Sequence, residues 1–285
     1  MTIPSCGALL AQGVQQLQAA SGQQVPDPNL DARLDAQVLL GHVMGITRGR
    51  LLSHPEAPCS AAQAQQYREL LGRRVSGEPL AYLVGHREFW SLRLAVGPAV
   101  LIPRPETELL VERALARGPA TAARVAELGT GSGAVALALA SERPDWHVVA
   151  SDISPAALDL ARSNAAALGL SRVEFRLGDW YAALAGELFD LLVSNPPYVA
   201  ATDPALALLQ YEPRLALTPG LDALASLRTL SAGAAAHLAL GGWLMLEHGA
   251  DQGAQVRAAL VLAGFRHVRS HRDLAGHERM TEGQR

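Results

Sequence analysis

The chain has 285 residues, 49% of them hydrophobic, and a formal net charge of −3 at pH 7. This length leaves room for about two domains with sizeable cores, and the weak negative charge excludes a general electrostatic attraction to nucleic acid. Two cysteines are too few for a disulfide framework or a cysteine-rich metal site, and the nine histidines form no metal-binding spacing. No stretch approaches the roughly 18–20 uninterrupted apolar residues of a membrane span. We therefore expect a cytoplasmic protein that has no metal and that binds neither a membrane nor nucleic acid directly. We also expect a monomer, although nothing in the composition determines the oligomeric state.

The first 83 residues predict a small helical domain. Apolar residues recur near a spacing of 3.6, which is typical of a helix with one buried face, and prolines and glycines separate the helices. These apolar positions include Leu30, Leu34, Val38, Leu39 and Val43. Within residues 84–104, the stretch from Phe89 to Val100 alternates in part between apolar and polar residues. With Gly97-Pro98 as a turn, it predicts a β-hairpin linker.

Residues 105–285 alternate between helix and strand patterns. The predicted helices are Glu106–Arg117, a helix from the glycine turn to about Ser141, Ala156–Leu168, Ala223–Ala239 and Gln252–Ala263. The predicted strands are Arg124–Leu128, His147–Asp152, Val173–Leu177, Leu188–Ser194, Trp243–Glu247 and a final pair from Phe265 onward. Such alternation predicts an α/β domain with a doubly wound, mostly parallel sheet, and ligands bind such sheets at the carboxyl ends of the strands.

A glycine-rich turn, Gly129-Thr130-Gly131-Ser132-Gly133, follows the first of these strands. Glycines let the backbone turn tightly and approach a ligand at the N-terminus of the next helix. Asp152 ends the following strand 21 residues after Gly131, where a carboxylate binds ribose hydroxyls in such folds; capping the helix that starts after Ser154 is the alternative. The turn lacks the spacing of dinucleotide and phosphate-binding loops, which favours a nucleoside ligand without phosphates.

Asn195-Pro196-Pro197-Tyr198 follows the buried strand Leu188–Ser194. A residue before proline is pushed into extended geometry, so this turn is stiff, and the Asn195 side-chain oxygen lies beside a free backbone oxygen. Two adjacent acceptors can hold both hydrogens of an NH2 group, and Tyr198 offers a flat face to a planar substrate group. An ordinary strand-ending turn is the alternative. Together with the glycine turn and Asp152, the motif points to S-adenosylmethionine.

The chain resembles the glutamine methyltransferases of peptide-chain release factors, a family of the Asn-Pro-Pro-Tyr type. The resemblance covers essentially the whole chain and depends also on Arg87–Leu92 and on Val100–Glu108, which contains the run Pro-Arg-Pro-Glu-Thr-Glu. It implies a class I, Rossmann-like methyltransferase fold, S-adenosylmethionine as cofactor and S-adenosylhomocysteine as product. The implied substrate is the glutamine of the Gly-Gly-Gln motif of class I release factors, with the helical domain 1–83 recognising that partner.

The resemblance also implies roles for individual residues. Asn195 and Pro196 would act in catalysis, and the substrate would bind to Asn195, Pro196, Pro197 and Tyr198. The cofactor-binding residues would be Gly129, Thr130, Gly131, Ser132, Gly133, Asp152, Trp180 and Asn195. Glu127 could bind the cofactor ammonium or merely cap the neighbouring loop, and Trp180 could instead be plain core. Arg104 and Thr107 would border the pocket, with helix capping as the competing role of Thr107.

Two other functions stay open. The same acceptor motif serves exocyclic-amine methyltransferases of DNA or RNA, which flip a base into the site. The stretch Tyr67–Arg74 is the best candidate for a basic patch, although a solvated helix face is its alternative reading. The third possibility is a helical binding module with a vestigial catalytic fold. The weak charge and the Pro-Arg-Pro-Glu-Thr-Glu run argue against the nucleic-acid enzyme, and the intact glycines, Asp152 and Asn195 argue against the binding module.

Overall fold

The computed structural model describes residues 4–20, 31–184 and 186–285. The chain divides into two compact units, Met1–Gly85 and His86–Arg285. Residues 21–30, which belong to the predicted helical region and include Leu30, lie outside the described residues. None of the helices in the described ranges is long and apolar enough to cross a membrane.

The described part of the first unit is helical. Its helices are α1 (Cys6–Ala20), α2 (Ala32–Met44), α3 (Arg48–Ser53), α4 (Ala61–Val75) and α5 (Leu80–Val84). Ser60 and Gln63 form a capping box at the start of α4, which satisfies free backbone N–H groups of its first turn. The Arg74 Nε donates to the Asp35 carboxylate at 2.7 Å inside the unit, and Arg73 pairs with Glu78. Since two of the three arginines in the stretch Tyr67–Arg74 are already paired with carboxylates, this stretch is weakened as a nucleic-acid patch.

The second unit begins with an antiparallel hairpin of β1 (His86–Phe89) and β2 (Leu92–Ala95). The position predicted for its turn is wrong. The chain reverses at Trp90 and Ser91, which have φ angles of 50° and 58°, and two consecutive residues with positive φ match the twist of a two-residue hairpin loop. The predicted turn at Gly97-Pro98 forms separately, after β2 has ended.

The rest of the second unit is an α/β domain. Its strands are β3 (Arg124–Leu128), β4 (His147–Asp152), β5 (Glu174–Leu177), β6 (Phe189–Ser194), β7 (Leu238–Glu247), β8 (Arg266–Arg272) and β9 (Glu278–Gln284). Its helices are α6 (Glu108–Arg117), α7 (Ala134–Glu142), α8 (Pro155–Ala167), α9 (Arg214–Leu217), α10 (Ala225–Gly233) and α11 (Gly253–Leu262). The strand order is β5-β4-β3-β6-β7-β9-β8, with β9 antiparallel to both its neighbours and the other pairs parallel. The predicted doubly wound, mostly parallel sheet is confirmed.

Both faces of the sheet are covered. Successive residues of a strand point to opposite faces, and accordingly Val125 and Leu191 lie in one core whereas Ala126 and Leu192 lie in the other. Helices α6 and α7 contribute to the first core and helices α10 and α11 to the second. Burial on both faces explains why these strands read as continuous apolar runs in the sequence.

The boundary between α10 and β7 differs from the prediction. A single helix over Ala223–Ala239 followed by a strand from Trp243 is wrong, because α10 ends early and β7 already begins at Leu238. Leu238 is paired with Phe189 of β6. This tertiary pairing overrides the helix propensity of the local alanine- and leucine-rich run.

Candidate active site

A cavity of about 380 Å³ lies at the carboxyl edge of the sheet, where β3, β4 and β6 end. This volume falls within the usual range of small-molecule sites. Residues named from the sequence that line it are Arg104, Thr107, Glu127, Gly129, Thr130, Gly131, Ser132, Asp152, Trp180, Asn195 and Pro197. The structure therefore brings together side chains from separate parts of the chain, as the end positions of the strands indicate.

The glycine turn shapes one wall of the cavity. Gly129 and Gly131 have φ angles of 77° and 55°, a backbone conformation that residues other than glycine rarely adopt. A Cβ atom on Gly131 would meet nothing within 4 Å, so the backbone there is open to a ligand. Gly133 lies at the start of α7 instead, and a Cβ atom there would approach Leu137 to 3.1 Å and Ala161 to 3.3 Å. Gly133 also has a positive φ of 85°, so both its backbone conformation and its close approach to α8 favour glycine at this position.

Asp152 supports the glycine turn from the end of β4. Its Oδ2 accepts from the backbone N–H of Gly131 at 2.8 Å, and its Oδ1 accepts from the N–H of Ser154 at 2.9 Å. The N-cap of α8 is Ser154, whose side chain accepts from Ala157, so helix capping does not explain Asp152. Each carboxylate oxygen can accept a further hydrogen bond, which leaves capacity for the hydroxyls of a ligand.

Glu127 is buried beneath the turn. Its Oε2 accepts from the Thr130 hydroxyl at 2.5 Å and from the Ala136 N–H at 2.9 Å, so loop capping is its observed role. Burial raises the pKa of this carboxyl, the two hydrogen bonds lower it, and the nearby Asp152 carboxylate raises it; the resulting pKa is about 8. Because Glu127 also lines the cavity, a cationic ligand group there would favour its ionised form.

Trp180 forms another wall. Its ring is partly exposed, lines the cavity and packs against the second core, and a Cβ atom on Gly129 would lie 3.5 Å from it. Its φ angle is 45°. A positive φ in a large aromatic residue is strained and persists only where the surroundings enforce it. Trp180 is therefore neither simple core nor an unconstrained surface residue.

Asn195 faces the cavity from the end of β6. The preceding Ser194 donates to the Leu128 carbonyl at 2.6 Å, which ties β6 to β3. The Asn195 Nδ2 donates to the Thr107 Oγ1 at 3.1 Å, and this leaves Oδ1 as the free acceptor. Pro197 lines the cavity with Asn195, whereas Pro196 is buried and, like Tyr198, is not among the lining residues. Thr107 makes no capping hydrogen bond from its side chain.

Tyr198 lies behind this wall. It is absent from the cavity lining, its ring packs against the second core, and its hydroxyl donates to the Glu247 Oε1 at 3.3 Å. Burial raises the pKa of Tyr198, and the Glu247 carboxylate raises it further. Burial likewise raises the pKa of Glu247 to about 7. Sequence reasoning gave Glu247 no role, because only the fold brings it next to the Asn-Pro-Pro-Tyr turn.

The rim of the cavity includes an ion pair that the sequence does not reveal. The guanidinium of Arg104 donates to Glu212, and the other carboxylate oxygen of Glu212 accepts from the Ile102 N–H at 2.9 Å. Glu212 is buried. This interaction joins the segment before α6 to the loop that follows Tyr198, and residues 108 positions apart give no local signal of such pairing.

Asn164 is a further residue that sequence reasoning missed. It is buried in α8 and donates to the Ser132 carbonyl at 2.9 Å and to the Ala95 carbonyl at 3.1 Å, while its Oδ1 accepts from the Ala95 N–H at 2.7 Å. One amide thereby connects the hairpin strand β2 to the glycine turn. A polar residue on an otherwise helical pattern reads as a surface position, so nothing in the sequence identified it.

The chemistry of the site fits S-adenosylmethionine and offers no metal site. An open glycine backbone, a strand-end carboxylate at Asp152 and the partly exposed ring of Trp180 surround one cavity. These groups suit a methionine backbone, a ribose and an adenine respectively. In the part of the chain that the structure describes, no group of three or more histidine, cysteine, aspartate or glutamate residues could hold a metal ion.

Comparisons with known proteins agree with this geometry. Residues 8–85 match the PrmC N-terminal domain, and residues 105–211 match the methyltransferase small domain. A release factor glutamine methyltransferase of Xylella fastidiosa strain Temecula1 is 50% identical over 285 residues, covering 99% of this chain and 98% of that protein. One from Escherichia coli K12 is 45% identical and covers 96% and 97%. A methyltransferase structure from Pyrococcus furiosus, at 18% identity, superposes with a TM-score of 0.52 over 77% of this chain and 97% of the other.

The sheet order, the flanking helices and the cavity at the carboxyl edge define a class I methyltransferase fold. Within that class the full-length identity is far more specific. The chain belongs to the release factor glutamine methyltransferase family.

Proposed function

We propose that this protein transfers the methyl group of S-adenosylmethionine to the side-chain amide nitrogen of the glutamine in the Gly-Gly-Gln motif of class I release factors, and thereby tunes translation termination. The observation that carries the proposal is the orientation of Asn195. Its Nδ2 donates to Thr107, and Asn195 lines the same cavity as the glycine turn, so Oδ1 is the end of the amide that remains to accept from a ligand. Relatives named for this activity share about half of the sequence over its full length.

Three parts of the cavity would hold the cofactor. The backbone at Gly129–Ser132 would surround its methionine portion, Asp152 would accept from the ribose hydroxyls, and Trp180 would lie along the adenine. Gly133 acts indirectly, by allowing α7 to pack closely. When bound, S-adenosylmethionine supplies a methyl group on a positively charged sulfur, which is a strong electrophile.

The protein's contribution to transfer is to position the amide nitrogen. A carboxamide nitrogen is a weak nucleophile because its lone pair is delocalised into the carbonyl. The Asn195 Oδ1 and the Pro196 carbonyl would accept both amide hydrogens and favour a more tetrahedral nitrogen. These hydrogen bonds strengthen as positive charge grows on nitrogen, so they stabilise the transition state more than the ground state. The new nitrogen–carbon bond would form as the sulfur–methyl bond breaks, and the nitrogen would then release one of its two hydrogens to water as a proton. Alignment of the reactants can remove as much as roughly 7–11 kcal/mol from the barrier.

The helical unit would provide recognition of the partner. A cavity mouth that admits one side chain buries far less than the roughly 1,200–2,000 Å² of a specific protein complex. The match of residues 8–85 to the PrmC N-terminal domain supports a family-specific role for this unit. We expect a monomer that meets release factors in the cytoplasm, where translation takes place, and that needs no metal.

A radiolabelled methyl-transfer assay tests the proposal. Purified full-length protein is offered a class I release factor, a ribosomal protein and transfer RNA in parallel, and products are located by peptide mass spectrometry. We expect label in the release factor alone, on the glutamine of its Gly-Gly-Gln motif.

The matched control is a release factor in which that glutamine is replaced by alanine, and it should take up no label. Transfer to RNA would favour the base-modifying alternative, and transfer to the ribosomal protein would redirect the substrate assignment. No transfer to any of the three, with S-adenosylmethionine still bound, would support a vestigial catalytic fold.

A further inference from the structure

Glu247 is a buried carboxylate behind the part of the cavity wall that Asn195 and Pro197 form. It is the last residue of β7, and its neighbour Leu246 pairs with Ser194, the residue before Asn195. Only 2% of Glu247 is exposed, and its Oε2 has no partner in ordinary hydrogen-bond geometry among the described residues. A buried ionisable group with spare hydrogen-bonding capacity is costly, so its position next to Asn195 requires an explanation.

Thr107 joins Glu247 to Asn195. The Asn195 Nδ2 donates to the Thr107 Oγ1 at 3.1 Å. Thr107 also lies close enough to Glu247 to lower the pKa of that carboxyl as a hydrogen-bond donor does, and its hydroxyl proton can turn toward the unpartnered Oε2. A hydroxyl can donate or accept, so Thr107 alone does not dictate which end of the Asn195 amide turns toward it. Once its proton is directed at Glu247, its oxygen can only accept. The amide must then present Nδ2 to Thr107 and Oδ1 to the cavity.

Tyr198 is fixed by the same carboxylate. Its hydroxyl donates to the Glu247 Oε1 at 3.3 Å. An ionised carboxylate accepts only, whereas a protonated one can also donate. A single buried group therefore holds both ends of the Asn-Pro-Pro-Tyr turn, and its protonation would allow the Thr107 hydroxyl to reverse its direction.

We propose that Glu247 is a positioning residue of the methyl-acceptor site, which orients Asn195 through the Thr107 hydroxyl so that Oδ1 meets the substrate amide. The inference depends on the proposed function, because it assigns Oδ1 the task of accepting an amide hydrogen. Glu247 touches neither substrate nor cofactor, since it does not line the cavity. It acts by selecting one of two orientations of the Asn195 side chain.

The charged and titratable groups around Glu247 set when it is ionised. Burial raises its pKa and Glu106 adds to this effect, whereas Thr107, Tyr198 and the Arg279 side chain of β9 lower the pKa. The balance of these effects is a pKa of about 7. Because the ionised form is the one that only accepts, the correct orientation of Asn195 should be lost as the pH falls through this value.

The test compares Glu247→Gln with two substitutions at Thr107. Gln can donate to Thr107, and Thr107→Val removes the hydroxyl at nearly constant volume, so both should lower kcat for release-factor methylation by about 10- to 100-fold, the scale on which small misplacements act. Affinity for S-adenosylmethionine and KM for the release factor should change little. Thr107→Ser restores the hydroxyl and should restore kcat.

Two further readouts separate positioning from a merely structural effect. As the pH is lowered below about 7, the wild-type kcat should decrease. Glu247→Gln should remove this decrease, whereas a pH dependence that comes from Glu127 should remain. The double variant Glu247→Gln/Thr107→Val should be no worse than either single variant, since both act through one hydroxyl.

An unchanged kcat in a folded Glu247→Gln protein, a Thr107→Ser variant as slow as Thr107→Val, or fully additive losses would overturn the inference. If Glu247→Gln does not fold, the comparison of Thr107→Val with Thr107→Ser decides. A wild-type protein that fails to methylate release factors would contradict the proposed function instead, which keeps the two failures distinct.

Discussion

Individual side chains in this site carry more than one task. Asp152 accepts from two backbone N–H groups and also lines the cavity, and Glu127 caps the glycine turn while it faces the same space. A substitution at either position therefore changes the loop as well as the ligand contacts. A substitution must therefore be combined with a matching change in the ligand, so that the loss of a ligand contact can be separated from the change in the loop.

The role of Asp152 can be isolated by such a pair. Replacement of Asp152 by alanine should weaken S-adenosylhomocysteine binding by about 1–3 kcal/mol, because hydrogen bonds to a charged acceptor are lost. Removal of the ribose 2′-hydroxyl from the ligand should weaken binding to the wild-type protein but have little further effect on Asp152→Ala. Titration calorimetry measures all four combinations, and Asp152→Asn serves as the control that keeps one acceptor.

A full additive loss across the four combinations would show that Asp152 does not contact the ribose. Cooperative thermal unfolding of Asp152→Ala, at a temperature close to that of the wild type, is needed first, because two loop hydrogen bonds are also removed.

At the scale of elements, apolar patterning predicted most of the second unit, because strands buried on both faces and helices with one buried face have different periods. The predictions were wrong where contacts between residues far apart in sequence determine the local structure. Pairing of Leu238 with Phe189 extended β7 into a helical pattern, and Trp90-Ser91 adopted the positive φ angles that a glycine would normally signal. Neither outcome can be deduced from a local window of sequence.

The sequence motifs did not identify the residues that connect one element of the site to another. The motif residues lie at strand ends, and the strand-end rule correctly placed Asp152 and Asn195 at one edge. Asn164, Glu212 and Glu247 support the residues of the site by hydrogen bonds to partners that are far away in sequence. They carry no spacing signature, so only the structure could reveal that they hold the hairpin, the rim and the acceptor turn.

At the scale of the whole molecule, the two units have separate cores. The cavity belongs entirely to the second unit, as all of its lining residues lie between 99 and 229. Binding of the cofactor and recognition of a large partner can therefore reside in different parts of the chain.

Deletion of residues 1–85 tests this division of labour. The remaining residues 86–285 should bind S-adenosylmethionine with nearly unchanged affinity, while kcat/KM for an intact release factor should fall by about 30-fold or more, the effect of losing a single 2 kcal/mol contact. A short Gly-Gly-Gln peptide should be a poor substrate for both forms. Equal efficiency of the two forms on the whole release factor would place recognition in residues 86–285.

In the proposed reaction, Asn195 holds the amide nitrogen during methyl transfer. The most direct measurement is the single-turnover rate of release-factor methylation by Asn195→Ala, compared with its affinity for S-adenosylmethionine. We expect a rate lower by roughly 100-fold or more, comparable to the loss of one oxyanion-hole donor, with a far smaller change in cofactor affinity. A parallel loss of rate and affinity, or a rate equal to that of the wild type, would contradict it.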